Sequence, residues 1–271
     1  MPPLSNAWSS RQSNSALEGL RHKLVLLERP IGLASDQDSL TVGLAAVDAA
    51  LAGGLARAAV HEISALCEVH SAAASRFAWA LAGILLGQSR DKAAIWIAQD
   101  LWLFENGGLY GPGLVDAGIA PERLITVTAP SRRDVLWAME EALRCRAAGV
   151  VIGELGMQPL DQVAARRLSL AAAAGNTLGL ILRAAPDKAP CACATRWIIG
   201  AAPSEIFSGS EEKFRGIGPP RLCVHLVRNR RGHPGAWLVE WNSVEQRFEL
   251  ATNPLSVAQS VIDRQAPAAV A

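Results

Sequence analysis

The chain carries almost no net charge: 26 basic and 25 acidic residues leave +1 over 271 residues. Sequence-independent nucleic-acid binders draw their affinity from phosphate contacts and show a clear basic excess. Any DNA contact made by this chain is therefore weak, local or indirect. Long hydrophobic runs are missing too. The longest, Phe77 to Gly87, is about half of the ~20 residues a membrane span needs. It reads as a core helix, which implies no membrane association. The stretch Met1–Ser15 is polar and rich in Ser, Asn and Pro. It lacks the basic start and apolar run of a secretory signal and reads as a disordered leader.

Cysteine is sparse and odd in number: Cys67, Cys145, Cys191, Cys193 and Cys223. No patterned disulfide framework follows from five irregularly spaced thiols. Cys191 and Cys193 form a Cys-x-Cys pair, but no second thiol pair or His-x-x-x-His stands nearby to complete a zinc site. These cysteines read as small buried hydrophobes with no metal, and reduced thiols suit a cytoplasmic protein. Tyrosine is nearly absent, at one residue against eight tryptophans. Trp79, Trp96, Trp137 and Trp197 fall in regular elements and read as core. Trp8 and Trp102 fall in irregular segments. The run Trp102-Leu103-Phe104 reads as a loop that folds over a crevice and fills it.

What is present is half apolar, enough for a sizeable core. Leu17, Leu20, Leu24 and Leu27 recur at helical spacing, so residues 16–28 predict an amphipathic helix that ends before Pro30. From Leu40 the pattern alternates between wholly apolar strands and Ala-rich helices. Strands are expected at Ala58–Ser64, Ala93–Gln99, Leu124–Thr128, Gly149–Leu155 and Thr177–Arg183. Helices are expected at Ser71–Leu86, Ser131–Ala147 and Asp161–Ala174. In the second helix Arg132, Arg133, Glu140, Glu141, Arg144 and Arg146 supply the polar positions. Strands that are apolar throughout, with helices between, indicate a parallel sheet covered on both faces. After Pro186 only strands follow: Thr195–Ala201, Arg221–Arg228, Ala236–Trp241 and Arg247–Leu250. His233-Pro234-Gly235 is a hairpin connection, and the Gly/Ser/Pro-rich 203–220 is a long loop.

The expected fold is thus α/β: a mostly parallel central sheet with helices on both faces and an antiparallel strand extension at the C-terminal end. The implied division is a leader at 1–15, a helix and linker at 16–38, a core at 39–250 and a tail at 251–271. A short helix at 256–264 is expected within that tail.

The segment 41–64 holds a short helix with Val47-Asp48, a Gly53-Gly54-Leu55 turn and a strand with Glu62-Ile63. This resembles the opening of the RecA/RadA recombinase core, which leads straight into a phosphate loop. That loop needs glycines for backbone N–H groups to close on phosphate, a Lys for the β and γ phosphates, and a Ser/Thr for magnesium. The chain offers Ala65 and His70 at the glycine positions, Ser71 at the lysine position and Ala72 at the hydroxyl position. Glu68 adds negative charge where the triphosphate would lie. The resemblance implies a site that has lost ATP hydrolysis, with no catalytic residue and no cofactor. Ser71 then reads as a helix N-cap. Glu154 and Asp100 stand where that core keeps its magnesium-coordinating and water-activating acids, and read as vestigial.

Arg228-Asn229-Arg230-Arg231 closes a strand and resembles the basic-Asn-basic signature of the same core, which there lies near the nucleotide and the neighbouring subunit. It is the candidate surface for a partner or DNA backbone, with His233, Arg196 and Arg221 as possible additions. The order of all these pieces, with the failed phosphate loop, is similar to the ImuA family, RecA-like members of the bacterial inducible mutagenesis cassette. The resemblance spans about residues 16–250. It implies a RecA-like three-layer fold and a non-catalytic adaptor in SOS-induced translesion synthesis. Its implied partners are an ImuB-like Y-family polymerase homologue, RecA and an error-prone polymerase III alpha subunit. The alternatives are a RecA-family ATPase with an atypical site and a division inhibitor of the SulA type. The oligomeric state stays open.

Overall fold

The computed structural model describes residues 39–204, 206–208 and 215–251. The leader, the helix expected at 16–28, Trp8 and the tail beyond Ala251 lie outside the described residues.

A nine-stranded sheet organises the chain. Its strands are β3 (Val60–Ala65), β4 (Ala93–Gln99), β5 (Leu124–Ala129), β6 (Ala148–Glu154), β7 (Leu178–Arg183), β8 (Thr195–Ala202), β11 (Arg221–Asn229), β12 (Gly235–Asn242) and β13 (Arg247–Leu250). They lie side by side in the order β13-β12-β11-β8-β3-β7-β6-β4-β5. The six from β8 to β5 are parallel, and β11, β12 and β13 extend the sheet antiparallel. Two short ribbons stand apart: β1 (Ser39–Leu40) with β2 (Leu55–Ala56), and β9 (Ile206–Ser208) with β10 (Arg215–Ile217). The second ribbon corrects the expectation of a structureless loop over 203–220. Its strands are three residues long, too short to leave a period in the sequence.

Central β3, β6 and β7 are buried at every position, as parallel strands covered on two faces must be. One face packs on α2 (Ser71–Gln88) and α1 (Ala45–Ala50). Helix α2 is long and apolar enough to cross a membrane by length and composition. Eleven of its residues are nonetheless buried against this sheet, so it is the core helix the sequence indicated. Gly83 sets how closely it packs: a Cβ there would stand 1.8 Å from the Ala117 carbonyl oxygen. The other face packs on α5 (Arg132–Arg144) and α6 (Gln162–Gly175). Ser131 and Asp161 cap these two helices by accepting from Asp134 N and Ala164 N, each satisfying a donor that the helix leaves open.

Two further helices, α3 (Asp100–Asn106) and α4 (Gly111–Asp116), link β4 to β5. Thus 102–104 is helical rather than a loop. Trp102 packs on the core edge-on to Trp96 at 5.5 Å, whereas Phe104 is exposed. Trp79, Trp96 and Trp197 are core as expected, but Trp137 is exposed, because the buried stripe of α5 runs through Val135, Met139 and Leu143. Glu140, read as a surface position, is buried because Arg144 and Arg167 clasp it. Cys191 and Cys193 are buried, whereas Cys145 is exposed and Cys67 and Cys223 are half-buried.

Candidate functional site

Helices that follow strands of a parallel sheet leave a crevice beyond the strands' carboxyl ends, where such folds bind ligands. Here the crevice measures about 270 Å³ and is lined by residues that follow β3 (Glu68, Ser71), end β6 (Glu154), end β7 (Arg183) and belong to α3 (Trp102, Glu105). The resemblance to a nucleotide-binding core can therefore be tested on what these side chains do.

After β3 the chain makes a single 3-10 turn, Glu68–His70, before α2 begins. Ala65 is buried as the last residue of the strand, and Ala72 is exposed on the first turn of α2. Leu66 N donates to Ile199 O at 2.8 Å, and His70 Nδ1 accepts from Ala201 N at 3.1 Å. Both bonds tie the turn to β8 and hold its backbone away from a phosphate cradle. Ser71 does not cap α2. Its hydroxyl donates to the Glu68 carbonyl at 2.6 Å, and the N-cap position, His70, makes no side-chain cap bond.

Glu154 is buried at the crevice floor, with the Trp96 indole N–H 3.5 Å from its Oε1. Burial outweighs that bond and raises its pKa to about 7. Asp100 is exposed at the start of α3 and does not line the crevice. Of the two acids read as vestigial, only Glu154 thus lines the crevice. Magnesium and a triphosphate do not fit this arrangement. Three carboxyl groups, those of Glu68, Glu105 and Glu154, line the crevice against one arginine, and that arginine is already paired.

The pairing partner is a group that sequence reasoning missed. Glu62 on β3 is fully buried; its Oε1 accepts from Arg183 Nη1 at 3.1 Å and its Oε2 from Arg196 Nε at 3.0 Å. Arg196 also donates to the carbonyls of Asp187 and Ala189, and Arg228 donates to that of Cys191 at 2.5 Å. A buried carboxylate flanked by guanidiniums on neighbouring strands is a clamp across β3, β7 and β8. The signal for it was an acid inside an otherwise apolar strand, Val60-His61-Glu62-Ile63, which has to be paired if buried.

Glu62, Cys191 and Cys193 bring a carboxylate and two thiols within 4.8 Å of one another, the set among the described residues nearest to a metal site. The two sulfurs are 3.0 Å apart. The Cys193 hydrogen bond lowers the Cys191 thiol to about 7, and the Cys193 thiol is raised in turn. The carboxylate is already committed to Arg183 and Arg196, whose positive charge opposes a cation.

The basic strand end lies elsewhere. Asn229 pairs with Thr195, and Thr195 with His61, which places Arg228–Arg231 beside the amino ends of the parallel strands. The crevice is at their carboxyl ends, a strand length away, about 13 Å for four residues. Asn229 is structural: its amide donates to Ala50 O at 2.8 Å and its oxygen accepts from Arg231 N at 3.0 Å. Arg230 and His233 are exposed. Arg196 and Arg221 do not join the patch, because both are buried, in ion pairs with Glu62 and Glu240.

Strand order, antiparallel extension and crevice position together define a RecA-like α/β protein. RadB recombinase, a solved structure, superposes with a TM-score of 0.50 at 14% identity, over 78% of this chain and 99% of that one. At that identity the likeness speaks for the fold. No family model matches the chain. Protein ImuA of Caulobacter vibrioides, in strain NA1000 / CB15N and in strain ATCC 19089 / CIP 103742 / CB 15, is 29% identical over 196 residues, which cover 69% of this chain and 74% of the relative. The chain is thus a homologue of Protein ImuA with a RecA-like core.

Proposed function

We propose that this chain is a docking protein of SOS-induced mutagenesis that acts in the cytoplasm by binding partners and not by hydrolysing ATP. Its first partner is an ImuB-like Y-family polymerase homologue. Through it, and through RecA, the chain supports an error-prone polymerase III alpha subunit at damaged DNA. The partner set rests on the kinship with ImuA.

The observation that carries the non-catalytic part is the corner after β3. The Leu66 N–H and the His70 imidazole are bonded to β8, the corner's one hydroxyl is bonded to Glu68 O, and no lysine among the described residues lines the crevice. Phosphoryl transfer depends on positioning and on positive charge around the γ-phosphate. A crevice with three carboxyl groups works against both.

Two experiments test the reading. Size-exclusion chromatography of the purified chain with an ImuB homologue is expected to give a co-eluting complex; separate elution at micromolar concentration counts against the docking role. Titration with a non-hydrolysable ATP analogue and magnesium is expected to give no saturable binding. Micromolar affinity that depends on Glu154 would instead favour an atypical RecA-family ATPase.

A further inference from the structure

On the outer surface of the helical layer, α5 and α6 enclose a groove of about 740 Å³. Its rims carry Trp137, 61% exposed, and Val163, 71% exposed. The core does not need either: α5 already buries Val135, Met139 and Leu143 in the sheet, and α6 buries Ala165, Leu168, Ala171 and Ala172. Apolar side chains held in water beside a groove mark contact surfaces, and Trp and Arg are the residues most enriched where binding energy concentrates.

The charges around the groove are unevenly committed. Its acids are all engaged within the fold: Asp134 accepts from the Ser131 hydroxyl at 2.6 Å, Asp161 accepts from Ala164 N at 2.8 Å, and Glu140 is clasped by Arg144 and Arg167. Its arginines have donors to spare. Arg133, on the same face as Trp137 by i,i+4 spacing, has no partner among the described residues. Arg167, although paired with Glu140, is still mostly exposed. The lining residues have formal charges that cancel, and the open directional donors beside the apolar rims are the guanidiniums of Arg133 and Arg167.

The geometry points to this groove as the docking site for an acidic peptide segment of a partner protein, with a large apolar side chain seated between Trp137 and Val163 and flanking carboxylates on Arg133 and Arg167. A carboxylate takes an arginine through paired, directional hydrogen bonds, which the spare donors supply. This rests on the docking role proposed above and names the surface and the ligand chemistry.

The test uses the full chain and a short fluorescein-labelled peptide in which Leu and Phe are spaced among Glu and Asp. Two controls replace either the acids by Lys or the apolar residues by Ser. Anisotropy is expected to show saturable binding of the first peptide alone. It is expected to weaken about tenfold or more in Trp137→Ala and in Arg133→Glu, and to be unchanged in Val244→Ala, at an exposed apolar residue outside the groove. Both groove residues are solvent-exposed, so unchanged thermal melts are expected to accompany the loss. Failure of the acidic peptide to bind, or binding indifferent to both groove variants, overturns the proposal. So does tight single-stranded DNA binding that Arg133→Glu abolishes, or a Trp137-dependent dimer in sedimentation. If an ImuB homologue co-elutes with the wild type and equally with both variants, the docking role stands and this site is wrong. If the peptide binds but the homologue does not, the site stands and that partner is wrong.

Discussion

Glu62 and Glu154 are both buried carboxyl groups in the same sheet, on strands separated only by β7, and their neighbours differ. Glu62 meets two guanidiniums, whereas Glu154 meets one indole N–H. Replacing Glu62 by Gln leaves Arg183 and Arg196 buried without their counter-charge. It is expected to cost about 3–5 kcal/mol, read as a lowered urea midpoint. Glu154 makes stability depend on pH in a definite direction. Folded, it holds its proton up to about 7, against 4.5 for the ordinary value. The folded chain therefore binds more protons in between, and stability falls as pH rises through that window. Glu154→Gln is expected to remove this loss and raise stability above pH 7 by roughly 2–4 kcal/mol, with little effect below pH 4.5. His61 acts oppositely. Its Nε2 donates to Ala56 O at 2.8 Å and its Nδ1 takes the Thr195 hydroxyl at 2.7 Å, which in turn accepts from Trp197. This chain of bonds needs a neutral ring, and burial lowers the pKa from 6.5 to about 4. Stability is expected to fall as pH drops from 6.5 towards 4, where the unfolded chain alone takes up the proton. In Glu154→Gln, urea midpoints should still fall as pH drops from 6.5 towards 4, because burial disfavours the charged forms of both His61 and His225.

At the scale of elements, capping and close packing are where single changes should be felt. Asp161→Ala removes the bond to Ala164 N at the start of α6 and is expected to cost about 1 kcal/mol by thermal melt, without altering the sheet. Gly83→Val would push a side chain into the Ala117 carbonyl; the expected result is a melt lowered well beyond that of Asp161→Ala. Sequence periodicity located the long elements to within a few residues, and β4 and β13 at the bounds observed. It failed at α3 and at the β9/β10 ribbon. A seven-residue helix has too few turns for an apolar stripe to repeat, and Gly107-Gly108 just after it signals a loop. Trp137 was read as core because α5 is strongly amphipathic and a large aromatic is normally buried. Only the tilt of the helix on the sheet decides which side of the stripe is covered.

For the whole molecule, the expected distinction is between a RecA-like body and a nucleotide-driven one. A ligand present at ~100 times its dissociation constant stabilises a fold by about 2.7 kcal/mol. Differential scanning with millimolar ATP and magnesium is expected to leave the melting temperature unchanged, and a clear upward shift would contradict the proposed loss of the site. The proposed loss of the site was legible in the sequence as the string Ala65–Ala72, because phosphate chemistry demands particular residues at particular spacings. The remaining acids were not legible in the same way. Asp100 and Glu154 looked equivalent as strand-end carboxylates, yet one is exposed and the other lies on the crevice floor. Likewise Arg228–Arg231 looked like part of a nucleotide site, but the antiparallel course of β11 carries it to the other end of the sheet.

By itself the sequence determined the layering, since apolar strands alternating with helices have one economical way to bury their faces, and it showed that the residues of a phosphate loop are missing from Ala65–Ala72, which is a local property of eight consecutive residues. Only the tertiary structure decided which charges meet. Glu62 found Arg183 and Arg196, and Arg133 was left without a partner among the described residues, beside an exposed tryptophan. Ion pairing acts over a few ångströms between residues more than a hundred positions apart in the chain, and no local pattern records such a distance.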